Sequence, residues 1–107
     1  IAPNRRTSNI FELSQNEQKD LAELMLDASK SLDKVFDDPM PYTLAWQLSP
    51  KGYENSYHFH ICFQPIRRSK TKLKYLAGVE QISGFFLVDL PPERSARILR
   101  GEELPDE

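Results

Sequence analysis

The stretch that decides the fold is Tyr57-His58-Phe59-His60-Ile61-Cys62-Phe63-Gln64-Pro65. Tyr57, Phe59, Ile61 and Phe63 alternate with His58, His60, Cys62 and Gln64, the period of two that puts one set of side chains in a core and the other on the opposite face of a strand. Working back from it, Tyr42, Leu44, Trp46 and Leu48 alternate in the same way with Thr43, Ala45 and Gln47. Ser49-Pro50-Lys51-Gly52 supplies turn chemistry between the two runs, so the pair is expected to be antiparallel. Tyr42 and Trp46 fall on the apolar phase and are expected in the core.

Upstream lies the helix signal. Ser14 and Glu17 have the spacing of a capping box, and Leu21, Leu24, Met25, Ala28, Leu32, Val35 and Phe36 follow in steps that keep one face apolar. One long amphipathic helix is expected, ended by Asp37-Asp38-Pro39. Downstream, Leu76 to Glu80 and Phe85 to Val88 read as two further short extended runs. Pro91-Pro92-Glu93 opens a short helix over Ala96, Ile98 and Leu99 that Gly101 stops, and the acidic end from Glu102 to Glu107 is expected to fray. The fold class is therefore α+β, a mainly antiparallel sheet with one long N-terminal and one short C-terminal helix. A single domain over 1–101 with an acidic tail over 102–107 is the organisation this implies.

Composition bounds the function. The chain has 107 residues, 39 % of them hydrophobic and 28 % charged, enough for one domain and too few for a two-domain enzyme. Its formal charge of −2 excludes the strong positive field of a nonspecific nucleic-acid binder. Cys62 is the single cysteine, so there is no intrachain disulfide, and a reducing, cytoplasmic setting is expected. No apolar run approaches the ~18 residues that span a bilayer, so no membrane role is expected. The opening Ile1-Ala2-Pro3 lacks an initiating methionine and reads as a piece of something longer.

Two constellations could carry chemistry. His58, His60 and Cys62 form a row on one strand face: two imidazoles and a thiol could bind zinc, one imidazole could attack phosphorus, or the row could be an ordinary polar face. A few residues on, Arg67, Arg68, Lys70, Lys72 and Lys74 gather with no acid among them, suited to a phosphate ester held against the strand. Glu80, at the end of an apolar run, could accept hydrogen bonds from sugar hydroxyls or stand exposed.

The order of these parts resembles the histidine-triad superfamily and, more narrowly, the C-terminal half of a galactose-1-phosphate uridylyltransferase. The resemblance rests on Ile1-Ala2-Pro3 followed by basic residues, Phe11-Glu12-Leu13 before the capped helix, and the Pro41-Tyr42 to Trp46-Gln47 strand. It continues through the His58-Phe59-His60-Ile61 strand ending in Gln64-Pro65, Pro65-Ile66-Arg67-Arg68-Ser69, Lys74 to Glu80, and Pro91 to Ala96. It implies a histidine-triad-like fold and a parent enzyme that exchanges UMP between UDP-glucose and galactose 1-phosphate. That parent's catalytic His-Pro-His would lie in an N-terminal half; nothing here matches it, so this chain alone is expected to be inactive. The resemblance also implies a homodimer, with UDP-sugar and hexose 1-phosphate contacted by Lys74, Tyr75, Ala77, Val79 and Glu80, beside the cations Arg67 and Arg68. His58 and His60 match positions that hold zinc or iron in some members; Gln47 replaces the histidine of the preceding strand, and the fourth ligand, a glutamate, would come from the other half. Val79 and Phe86 replace the family's usual aromatic and glutamine. The wider superfamily includes adenylyl-transferring relatives. The alternatives are a self-contained histidine-triad hydrolase or phosphorylase using His60, with Cys62 in the third triad position, and a non-catalytic metal- or ligand-binding domain.

Overall fold

The computed structural model describes residues 1–76, 80, 83–85, 87, 88 and 90–106. Its contacts gather into two compact units, Ile1–Lys30 with Tyr42–Pro65, and Ser31–Pro41 with Ile66–Glu107.

In the first unit a 3₁₀ turn, Ile10–Glu12, precedes the helix α1, Gln15–Val35, of which this unit holds the part through Lys30. The expected capping box is formed: Ser14 N–H donates to Glu17 Oε2 at 2.7 Å and Glu17 N–H to Ser14 Oγ at 3.2 Å. Arg5 reinforces it, donating to the same carboxylate at 2.9 Å. Strands β1, Tyr42–Gln47, and β2, His60–Pro65, are antiparallel, with Leu44 opposite Phe63, Trp46 opposite Ile61 and Gln47 opposite His60. Between them Tyr53 N–H bonds the Pro50 carbonyl, and Gly52 takes φ 89° at the third turn position, where a side chain would be strained. The opposite edge of β2 is met by the chain's first residue: Ile1 and Ile61 exchange both backbone hydrogen bonds at 2.8 Å. Leu13, Phe59 and Ile61 make the buried core, and Leu21 and Met25 of α1 pack on it with Ile1, Ile10, Leu44 and Phe63.

In the second unit α1 ends as Asp38 N–H bonds the Asp33 carbonyl and Asp37 N–H that of Lys34, with Asp37 at φ 51°. This is a Schellman ending with aspartate where glycine is usual. The basic segment is a hairpin of β3, Arg67–Ser69, and β4, Lys72–Leu73, with a bulge between Arg67 and Ser69. Helix α2, Pro92–Leu99, starts on prolines and ends at Gly101, φ 75°, again with both Schellman bonds, Glu102 N–H to the Arg97 carbonyl and Gly101 N–H to that of Ile98.

Several expectations are corrected. Tyr57 to Phe59 precede β2 rather than belonging to it, because the Tyr57 N–H closes a helical turn on Tyr53 and Phe59 N–H bonds Thr7. Glu80 is helical, not extended: Gly84 N–H bonds its carbonyl, and a short apolar run does not by itself distinguish strand from helix. Phe85, Leu87 and Val88 carry no strand, while 77–79 and 86 lie outside the described residues. Tyr42 and Trp46 stay 40 % and 44 % exposed, rimming the core through ring contacts with Phe63 and Phe59. Within the acidic end, Glu103 and Asp106 pair with Arg94 of α2 after the reversal at Gly101, while 107 lies outside the described residues.

Candidate functional site

Lys74 and Glu80 come together. The β3–β4 hairpin delivers Lys74, whose N–H extends the pairing to the Ile66 carbonyl. Its Nζ donates to the Leu87 carbonyl at 2.7 Å and lies 3.6 Å from Glu80 Oε2, which also accepts the Leu87 N–H at 3.0 Å. One carboxylate and one ammonium thus clamp both backbone groups of Leu87. The Glu80 side chain is only 3 % exposed and that of Lys74 37 %, so the cation is the solvent-facing member. A buried carboxylate is stable only with such partners. Tyr75, 82 % exposed, stands beside this clamp in sequence; Ala77 and Val79 lie outside the described residues.

The remaining cations divide. Arg67 is committed, donating to Asp38 at 2.6 Å and more weakly to the Pro39 carbonyl, and its side chain is largely buried. Arg68, Lys70 and Lys72 are exposed along the hairpin. The partners of this site, Asp38 for Arg67 and the Leu87 backbone for Lys74, were not singled out from sequence; nothing in composition or spacing marks a contact between residues 29 and 13 positions apart.

In the first unit both imidazoles face carbonyls, which only accept, so the facing nitrogens carry the protons. His58 Nε2 donates to Pro3 at 2.9 Å, and His60 Nδ1 to the His58 carbonyl at 2.9 Å, with the His60 ring stacked on Tyr57. The nitrogens that face away from these carbonyls, and could offer a lone pair to a metal, are His58 Nδ1 and His60 Nε2. His60 and Cys62 share the half-buried face of β2, whereas His58 precedes the strand. Two imidazoles fall short of the four ligands of a structural zinc site, and among the described residues no three His, Cys, Asp or Glu side chains gather as a metal set. These residues alone do not fit the group.

No protein-family model matches the chain. The galactose-1-phosphate uridylyltransferase of Thermotoga maritima is 35 % identical over 97 % of this chain, the match covering 34 % of that protein. The chain is a homologue of galactose-1-phosphate uridylyltransferases. The Rattus norvegicus galactose-1-phosphate uridylyltransferase is 30 % identical over 94 % of the chain, which covers 28 % of the rat protein. A solved uridylyltransferase structure superimposes with a TM-score of 0.86 at 32 % identity, covering 95 % of this chain and 33 % of that one. A mutant uridylyltransferase gives 0.83 at 34 % identity, over 95 % and 35 %. The chain thus spans about a third of the length of the galactose-1-phosphate uridylyltransferases it matches and, like the matched part of the solved uridylyltransferases, is a small α+β domain with antiparallel strands.

Proposed function

We propose that this chain is the C-terminal, histidine-triad-like domain of a galactose-1-phosphate uridylyltransferase, contributing substrate contacts to an enzyme that moves UMP between UDP-glucose and galactose 1-phosphate. The observation that carries this reading is homology to such enzymes along nearly the whole chain. The chain's only histidines, His58 and His60, flank a phenylalanine, so the nucleophile of a His-Pro-His motif must come from elsewhere in the parent.

Within that role Lys74 is the phosphate contact. Its ammonium is half-exposed and held by Glu80 and the Leu87 carbonyl, so it meets an anionic substrate already oriented, which lowers the cost of ordering it on binding. Glu80 fixes Lys74 and the Leu87 backbone, and a hexose hydroxyl would be read beside this clamp, with Tyr75, Ala77 and Val79 as neighbours in sequence. Arg67 shapes the hairpin through Asp38, and Arg68 adds positive potential. UDP-sugar and hexose 1-phosphate are the substrates in this reading, and a second subunit completes the site. Zinc or iron would take at most the lone pairs of His58 and His60 from this chain, the other ligands coming from outside it.

The test is steady-state kinetics of the longer enzyme. Lys74→Met should raise the KM for galactose 1-phosphate and lower kcat/KM by roughly 10- to 100-fold, as loss of a charge-assisted contact to phosphate would. An unchanged kcat/KM for both Lys74→Met and Glu80→Gln would remove the assignment.

A further inference from the structure

The acidic end is bound in an orderly way. Gly101 reverses the chain after α2, so the residues behind it run back along the helix they have just left. Asp106 takes Arg94 in a two-pronged contact, Nη1 at 2.9 Å and Nη2 at 2.7 Å, while Arg94 Nε reaches Glu103 at 2.6 Å. Glu103 is shared, accepting from Arg97 Nε at 2.9 Å, and Arg100 pairs with Glu102 at 2.6 Å. Arg94, Arg97 and Arg100 are three apart, neighbours along a helix surface, and their forked donors fit paired oxygens. The arginines hold Glu103 and Asp106 below the usual carboxylate range, Arg94 foremost, so both stay charged at neutral pH.

We propose that residues 102–106 occupy in cis an anion-binding row on α2, an exchangeable ionic strap whose place a polyphosphate can take. The geometry of the row is that of an oxyanion site already filled: each of the three guanidiniums is engaged by a carboxylate from residues 102–106, which Gly101 turns back toward the helix. Arg97 and Arg100 remain about half-exposed while paired, so an external anion can approach before the strap leaves. Nothing in this depends on the uridylyl-transfer reading, because none of the three arginines belongs to the Lys74–Glu80 clamp.

Inorganic tripolyphosphate is the probe, titrated by calorimetry into the full chain at constant ionic strength. The double variant Glu103→Gln, Asp106→Asn leaves Gly101 and the helix sequence intact and should bind it about fivefold or more tighter than the natural chain, since the two carboxylates that compete for Arg94 and Arg97 are gone. Adding Arg94→Gln should abolish the gain. In the natural chain, saturating tripolyphosphate should shift the side-chain carboxylate carbon resonances of Glu103 and Asp106, the groups that leave the arginines. Equal affinity of the natural and double-variant chains, a gain that survives Arg94→Gln, or carboxylate resonances unmoved by the probe would each overturn the proposal.

Discussion

At the scale of single residues, two side chains sit in places their chemistry does not favour. Thr7 is fully buried, and among the described residues its hydroxyl has no hydrogen-bond partner. An unpaired buried hydroxyl costs about 1–3 kcal/mol, and valine has nearly its shape, so Thr7→Val should stabilise the chain by about 1 kcal/mol in urea denaturation. A loss of stability would show that the hydroxyl is satisfied in solution. Asp37, at φ 51°, ends α1 in a conformation that glycine adopts without steric cost. Asp37→Gly should raise stability by about 0.5–1 kcal/mol, read from the urea midpoint at unchanged slope, because both Schellman bonds are backbone bonds and survive the change. Neither assignment could come from sequence: Thr7 lies in a polar segment, and Asp37 looks like an ordinary residue before a helix-ending proline.

At the scale of the element, the start of α1 is the best-determined part of the chain. Glu17 accepts from Arg5 and from the Ser14 N–H, and these hold its carboxyl, ordinarily near 4.5, down to about 2. Between those values the unfolded chain binds a proton that the folded chain does not, so stability falls as pH is lowered from 4.5 toward 2. Glu17→Gln removes that dependence. The stability difference between the natural chain and the variant, followed by circular dichroism across this range, should shrink steadily toward pH 2; a constant difference would mean that Arg5 and Ser14 do not protect the carboxylate. This cap was legible in Ser14 and Glu17 because a capping box is local, four residues long, and its bonds follow from position alone. Arg5, twelve residues before Glu17, was not, since its approach depends on how the first residues run beside α1. The β1–β2 pair was legible for a similar reason: alternation and a short turn leave few registers open.

At the scale of the whole molecule, 107 residues correspond to about a third of each homologous enzyme. Under the proposed function the chain by itself should release no UDP-galactose or glucose 1-phosphate from UDP-glucose and galactose 1-phosphate, checked by chromatography at high protein concentration. Turnover abolished by His60→Ala would instead establish a self-contained histidine-triad enzyme. What the amino-acid order determined unaided was the α+β class, the capped helix, the antiparallel pair, the Gly101 stop and the likeness to galactose-1-phosphate uridylyltransferases, all of which rest on local periodicity, neighbouring residues and the order of short stretches. Tertiary structure alone decided that the basic run is a hairpin, that Glu80 is helical and buried against Lys74 and the Leu87 backbone, and that the acidic end lies on α2. Each of these sets a charge against a partner distant in sequence. A charged side chain has no preferred neighbour until folding withdraws it from water, and only then does the cost of leaving it unpaired select one.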